Sequence, residues 1–89
     1  MVEIVRLKSG EAMPSQTEGY VQVVRDLALG ASQEIRVRLT VQRHLGEPDQ
    51  GFAYDEVRNG LSYDEMVEWA VETAKSYQLE KVIAQDNTL

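Results

Sequence analysis

The chain contains no cysteine, only one histidine and two prolines, and no long apolar run in its 89 residues. Without cysteine it has no disulfide, no thiolate metal site and no cysteine nucleophile. No segment approaches the roughly 18 apolar residues that a membrane-spanning helix needs. The N-terminus alternates charged with aliphatic side chains and lacks the apolar stretch of a signal peptide. These absences predict a cytoplasmic protein that does not associate with a membrane.

The composition is that of a globular domain with an acidic surface. Hydrophobic residues make up 43% and charged residues 27% of the chain, which is ordinary for a folded protein. The length allows one domain, residues 1–89. Residues 47–89 hold ten acidic and three basic side chains, whereas residues 1–46 are almost balanced. An acidic surface disfavours phosphate backbones and suits either a basic protein partner or solubility alone.

Alternating apolar and polar residues predict strands over 2–8, 20–29 and 34–43. The clearest pattern places four residues on one face: Ile35, Val37, Leu39 and Val41. One buried and one wet face are typical of an antiparallel sheet. In the second strand, Arg25 shares a face with apolar residues, so either a bulge redirects it or it lies at the sheet margin.

The remaining segments are less regular. Residues 52–57 suggest a third long strand or a short helix, and 81–84 suggest a short closing strand. Residues 9–19 are rich in turn formers and predict a flexible loop. Residues 86–89 predict a frayed tail.

One amphipathic helix is predicted over residues 63–78. Ser62 and Glu65 have the spacing of a capping box, in which the side chain of each residue accepts a hydrogen bond from the backbone N–H of the other. Apolar residues then recur at helical spacing along one side. The chain is therefore expected to be an α+β two-layer sandwich. Its mostly antiparallel sheet has three to four strands in the order β-β-β-α-β, and one helix packs on one face.

The residues offer no support for catalysis or for a cofactor. His44 is the sole histidine, and no nucleophile or acid near it in sequence completes a triad. Asp64, Glu68 and Glu72 share a helix face at four-residue spacing, which is more typical of a solvated surface than of a metal site. No glycine-rich phosphate loop is present. We expect no enzymatic activity, no bound metal and no cofactor.

The acidic helix surface is the predicted partner-binding site. It comprises Asp64, Glu65, Glu68 and Glu72, with the only tryptophan, Trp69, beside them. Trp69 serves either as an interface anchor or as a cover over the rim of the core. This pattern predicts a non-enzymatic protein–protein interaction module for a basic partner. An inhibitor or accessory factor of the phage or mobile-element type would fit this profile, although many other proteins are equally small and acidic.

The alternative function uses the sheet face that the single helix leaves open. A homo-oligomer, most simply a homodimer, would bind a small ligand or nucleic acid there through Arg36, Arg38 and Tyr20. The acidic pI of about 4.6 argues against nucleic acid. Cross-strand ion pairs are the other use for these two arginines.

Overall fold

The structure is a computed structural model that describes residues 1–12, 19–27, 34–44 and 50–88, except the side chains of residues 43, 44 and 50–54. In chain order the elements are β1 (Glu3–Leu7), β2 (Tyr20–Leu27), β3 (Ile35–His44), β4 (Gln50–Asn59), α1 (Tyr63–Ser76) and β5 (Lys81–Asp86). Part of the expected 9–19 loop, residues 13–18, lies outside the described residues.

All five strands form one sheet, in the order β1-β5-β2-β3-β4. β5 pairs in parallel with β1 and β2, whereas β3 pairs antiparallel with β2 and β4. One helix packs against this sheet, so the predicted α+β class is confirmed. The details need correction, because the sheet is mixed and five-stranded rather than mostly antiparallel with three to four strands. The expected order gains a strand because residues 52–57 belong to β4.

A bulge explains why β4 is hard to recognise from its sequence. Val41 pairs with Tyr54 but Gln42 pairs with Phe52, so Ala53 is an extra residue in β4. The insertion shifts the pairing register between β3 and β4 by one residue. β4 also lies at an edge of the sheet and therefore packs beside only one strand. Both effects weaken the alternating pattern on which strand prediction depends.

The two faces of the sheet are covered differently. α1 packs across β2, β3 and β5 on one face. On the opposite face, Gln85 Nε2 donates hydrogen bonds to the carbonyl oxygens of Lys8 (2.9 Å) and Glu11 (2.7 Å). The first residues after β1 therefore lie against this face, where Ile83 is fully buried. On the described parts of β2, β3 and β4, the residues exposed on this open face are Asp26, Arg36, Arg38, Asp55, Val57 and Asn59.

The core lies between α1 and the sheet face that it covers. The predicted alternation of β3 is confirmed, because Val37, Leu39 and Val41 are fully buried. Ile35, at the start of the strand, is half-buried. The other fully buried members of this cluster are Val21, Val23, Met66, Ala70, Ala74, Val82 and Ala84.

The start of α1 agrees with the sequence, but its end does not. Ser62 Oγ accepts a hydrogen bond from the Glu65 N–H, and Glu65 Oε1 accepts one from the Ser62 N–H, each at 3.2 Å. The predicted capping box is therefore confirmed. The helix ends at Ser76 rather than at residue 78 because Gln78 adopts a left-handed conformation, with φ of 59°. The N–H of Leu79 then bonds to the Ala74 carbonyl, which completes a Schellman motif.

The C-terminal residues are held in place rather than frayed. Asp86 is the buried last residue of β5. The Asn87 N–H donates to the Arg25 carbonyl at 2.8 Å, and its Oδ1 accepts a hydrogen bond from the Gly10 N–H. The expected frayed tail is therefore wrong for residues 86–88. Residue 89 lies outside the described part of the chain.

Candidate functional site

Three carboxylates form a row along the solvent side of α1. Asp64, Glu68 and Glu72 follow one another at four-residue spacing, so they share one helix face, and all three are exposed. Among the residues that the structure describes, no hydrogen bond or ion pair engages them. We call these three residues the acidic row. Glu65, also exposed, is committed to the capping box.

Trp69 is largely buried beside this row. Its exposed fraction is 9%, and it belongs to the hydrophobic cluster. The guanidinium carbon of Arg58 in β4 lies 4.0 Å from the centroid of the Trp69 ring, which is a close cation–π contact. Arg58 Nε also donates to Glu56 Oε2 at 3.0 Å. Trp69 therefore covers the rim of the core, on the side of α1 that faces β4.

A shallow groove runs along this side of the helix. Its volume is about 330 Å³, and it is lined by Trp69, Glu72, Thr73, Ser76 and Tyr77. Thr73 Oγ1 donates to the Trp69 carbonyl at 2.8 Å, so this hydroxyl is turned onto the helix backbone. The groove combines two aromatic side chains with a carboxylate of the acidic row. Aromatic rings suit the aliphatic stem of lysine or arginine, and a carboxylate suits its charged end.

Arg25 and Asp86 form a second polar cluster, at the margin of the core. The residues are register partners on β2 and β5, and their side chains join at 3.0 Å. Arg25 also donates to the Leu61 carbonyl and to Thr88 Oγ1. Burial raises the pKa of Asp86, but hydrogen bonds from Thr88 and Arg25 outweigh it and leave this pKa below its ordinary value. The pairing of β2 contains no bulge, so Arg25 lies at the sheet margin.

The residues proposed for the open face do not form one site. Tyr20 is register partner to Gln42, whereas Arg36 is partner to Asp26 at the other end of β2, roughly 20 Å away at the rise of a strand. Tyr20 is buried, and the loss of solvent raises the pKa of its hydroxyl. The structure therefore separates the aromatic group from the two arginines.

Arg38 is engaged in a cross-strand ion pair, as the sequence suggested for these arginines. Its Nε and Nη2 donate to the two carboxylate oxygens of Asp55, at 3.1 and 2.7 Å. These hydrogen bonds raise the pKa of Arg38 and lower that of Asp55. A cavity of about 350 Å³ lies beside the pair and is lined by Val24, Asp26, Arg36, Arg38 and Val57. The nearby carboxylates reduce the attraction of this cavity for an anion.

In the described part of the chain, no three histidine, aspartate or glutamate side chains lie together as a metal site would require. The side chain of His44 lies outside the described residues. No described helix is both long and apolar enough to cross a membrane.

Comparisons of this chain with protein-family models, with curated proteins and with solved structures find no match.

Sequence reasoning missed the role of Arg58 and the exposure of Val57. Residues 47–72 contain eight acidic residues and one basic residue, Arg58. This isolated positive charge was the signal in the sequence that Arg58 makes a specific contact. Val57 is exposed to 51% on the edge strand. No signal marked Val57, because the placement of β4 at an edge follows from the order of the strands.

Proposed function

We propose that the chain is a non-enzymatic protein–protein interaction module that captures a basic segment of another protein along the exposed side of α1. The observation that supports this most directly is the groove lined by Trp69 and Tyr77, with Glu72 at its side. A lysine or arginine side chain laid along it would contact aromatic rings and reach a carboxylate. Glu68 and Asp64 continue the negative charge along the helix, one turn apart.

The wider charge distribution supports the same partner. The C-terminal half carries most of the acidic residues, so its potential attracts cations before contact is made. The one base within 47–72, Arg58, is stacked on Trp69 and paired with Glu56. Its charge is therefore partly compensated before a partner arrives. A compact inhibitor or accessory factor of the phage or mobile-element type would act in this way, by occupying a basic surface.

Charge reversal on the acidic row tests the proposal. We expect the double change Glu68→Lys and Glu72→Lys to weaken binding of a lysine- and arginine-rich decapeptide by at least about tenfold. Trp69 is the only tryptophan and lines the groove, so its fluorescence reports the titration. The melting temperature should change little, because both side chains are exposed. The pair at 64 and 68 becomes attractive, whereas the pair at 68 and 72 stays like-charged.

The matched control is Glu3→Lys with Glu80→Lys. These two exposed acids lie outside α1 and do not line the groove, and their reversal changes the net charge by the same amount. If the control weakens peptide binding as much as the helix variant does, attraction is a property of total charge and the groove is not the site. If neither peptide affinity nor melting temperature changes in the helix variant, the acidic row is only a solvated surface.

A further inference from the structure

β4 presents an unpaired backbone edge. It is an outer strand, and within the described residues it pairs only with β3. The Gly60 N–H donates to the Ile35 carbonyl, which shows that Gly60 points its backbone groups toward β3. Antiparallel pairing alternates along a strand, so Glu56 and Arg58 also bond β3. The N–H and C=O groups of Asp55, Val57 and Asn59 therefore point outward.

The side chains of this edge are complementary to themselves. In a two-fold antiparallel pair centred on Val57, each Val57 faces the other, and each Glu56 faces the Arg58 of the other copy. Val57 is one of the few large apolar side chains that the described chain exposes. In this pairing the two Val57 residues form a hydrogen-bonded pair. Glu56 of one copy and Arg58 of the other form a non-hydrogen-bonded pair, the kind in which opposite side chains approach most closely.

Other centres of symmetry are unfavourable. The outward backbone groups lie on odd-numbered residues. A two-fold pairing centred on any residue from 55 to 59 sets odd-numbered residues opposite each other, so all of these centres allow the backbone hydrogen bonds to form. Centring on Glu56 or Arg58 sets like charges opposite each other, and centring on Asp55 does the same. Centring on Asn59 leaves only the end of the strand overlapped. The charges on β4 thus select one register, although charged residues on an edge strand also discourage pairing with unrelated strands.

We propose that β4 is a homodimer interface, in which a second copy of this chain pairs antiparallel with residues 55–59 around Val57. The two sheets then form one continuous sheet. Because paired residues share a face, both copies of α1 lie on the same side of it. Arg58 keeps its stacking on Trp69 and gains the partner's Glu56. This inference is independent of the proposed binding of a basic segment.

The oligomeric state measured over a range of protein concentrations tests the dimer. Sedimentation velocity of the full chain should show a reversible monomer–dimer equilibrium. Val57→Lys places two ammonium groups together at the centre, and we expect it to raise the dimer dissociation constant at least about tenfold. Leu27→Lys is the matched control, because Leu27 is exposed to 49% but lies at the end of β2, away from the edge.

A charge swap tests the register. Glu56→Arg alone sets two arginines against each other across the interface and should weaken the dimer. The double variant Glu56→Arg with Arg58→Glu exchanges the two charges, so each chain still has one acidic and one basic residue at these positions. Opposite charges again face each other across the interface, and the dimer should be restored. Hydrogen exchange gives an independent readout, since the amides of Asp55, Val57 and Asn59 should become protected as concentration rises. A wild-type chain that stays monomeric, or a dimer unaffected by Val57→Lys, would overturn the proposal.

Discussion

Replacing Leu39 with alanine should lower the free energy of unfolding by about 3 kcal/mol, a large fraction of the stability of a small domain. Leu39 is fully buried at the middle of β3, beside its register partner Val23. Its removal leaves a cavity that the flanking strands fill poorly, because they are fixed by their backbone hydrogen bonds. Urea unfolding should show a lower midpoint with an unchanged slope.

Leu27→Ala is the matched control for this change. Leu27 is on the same sheet face but is half exposed at the end of β2. Its truncation should alter the free energy of unfolding by no more than about 0.5 kcal/mol. Similar losses for the two variants would mean that the core is not centred on β3.

Replacing Arg25 with methionine should cost about 3 kcal/mol at neutral pH, because it leaves the Asp86 carboxylate buried without its cationic partner. The side chains of Arg25 and Asp86 are exposed to only 18% and 8%. Methionine keeps much of the aliphatic volume, so most of the loss reports the guanidinium group, with its charge and its hydrogen bonds to Leu61 and Thr88. The double variant Arg25→Met with Asp86→Leu removes both charges, and thermal or urea unfolding should find it more stable than Arg25→Met alone.

The same pair makes a prediction about pH. The pKa of Asp86 is lowered in the folded protein, so its contribution to stability is present above the unfolded pKa of about 3.9 and is lost as pH falls through the folded value. Without Arg25 the pKa of Asp86 is higher than in the wild type, although hydrogen bonds from Thr88 still lower it. The stability difference between wild type and Arg25→Met should therefore shrink as pH falls through the pKa of Asp86 in the variant and towards its lower pKa in the wild type. A difference that stays constant would show that the charge of Asp86 contributes little.

Local sequence patterns were sufficient to predict the strands and the helix that bury only one face. The period of β3 and the capping box of α1 both follow from neighbouring residues, and both agree with the structure. β5 is different, because its residues Val82, Ile83 and Ala84 are all buried. A strand that is buried on both faces shows a short continuous apolar run, but such a run does not reveal which strands lie beside it. Parallel pairing is a long-range property that no local pattern contains.

The candidate site was predictable to a similar degree. Helical spacing alone places Asp64, Glu68 and Glu72 on one face. The burial of Trp69 could not be settled in the same way, because the residue that covers it, Arg58, comes from another element. The separation of Tyr20 from Arg36 likewise depends on the pairing register of β2 and β3.

The central position of β5 has a consequence for how the protein is made. β5 follows every other strand along the chain, yet it is the only link between β1 and the rest of the sheet. A nascent chain that has not reached Lys81 therefore cannot join its first strand to its second. The complete sheet therefore cannot form before β5 can pair, and the pairing of Glu3 with Lys81 joins residues that are far apart in the chain.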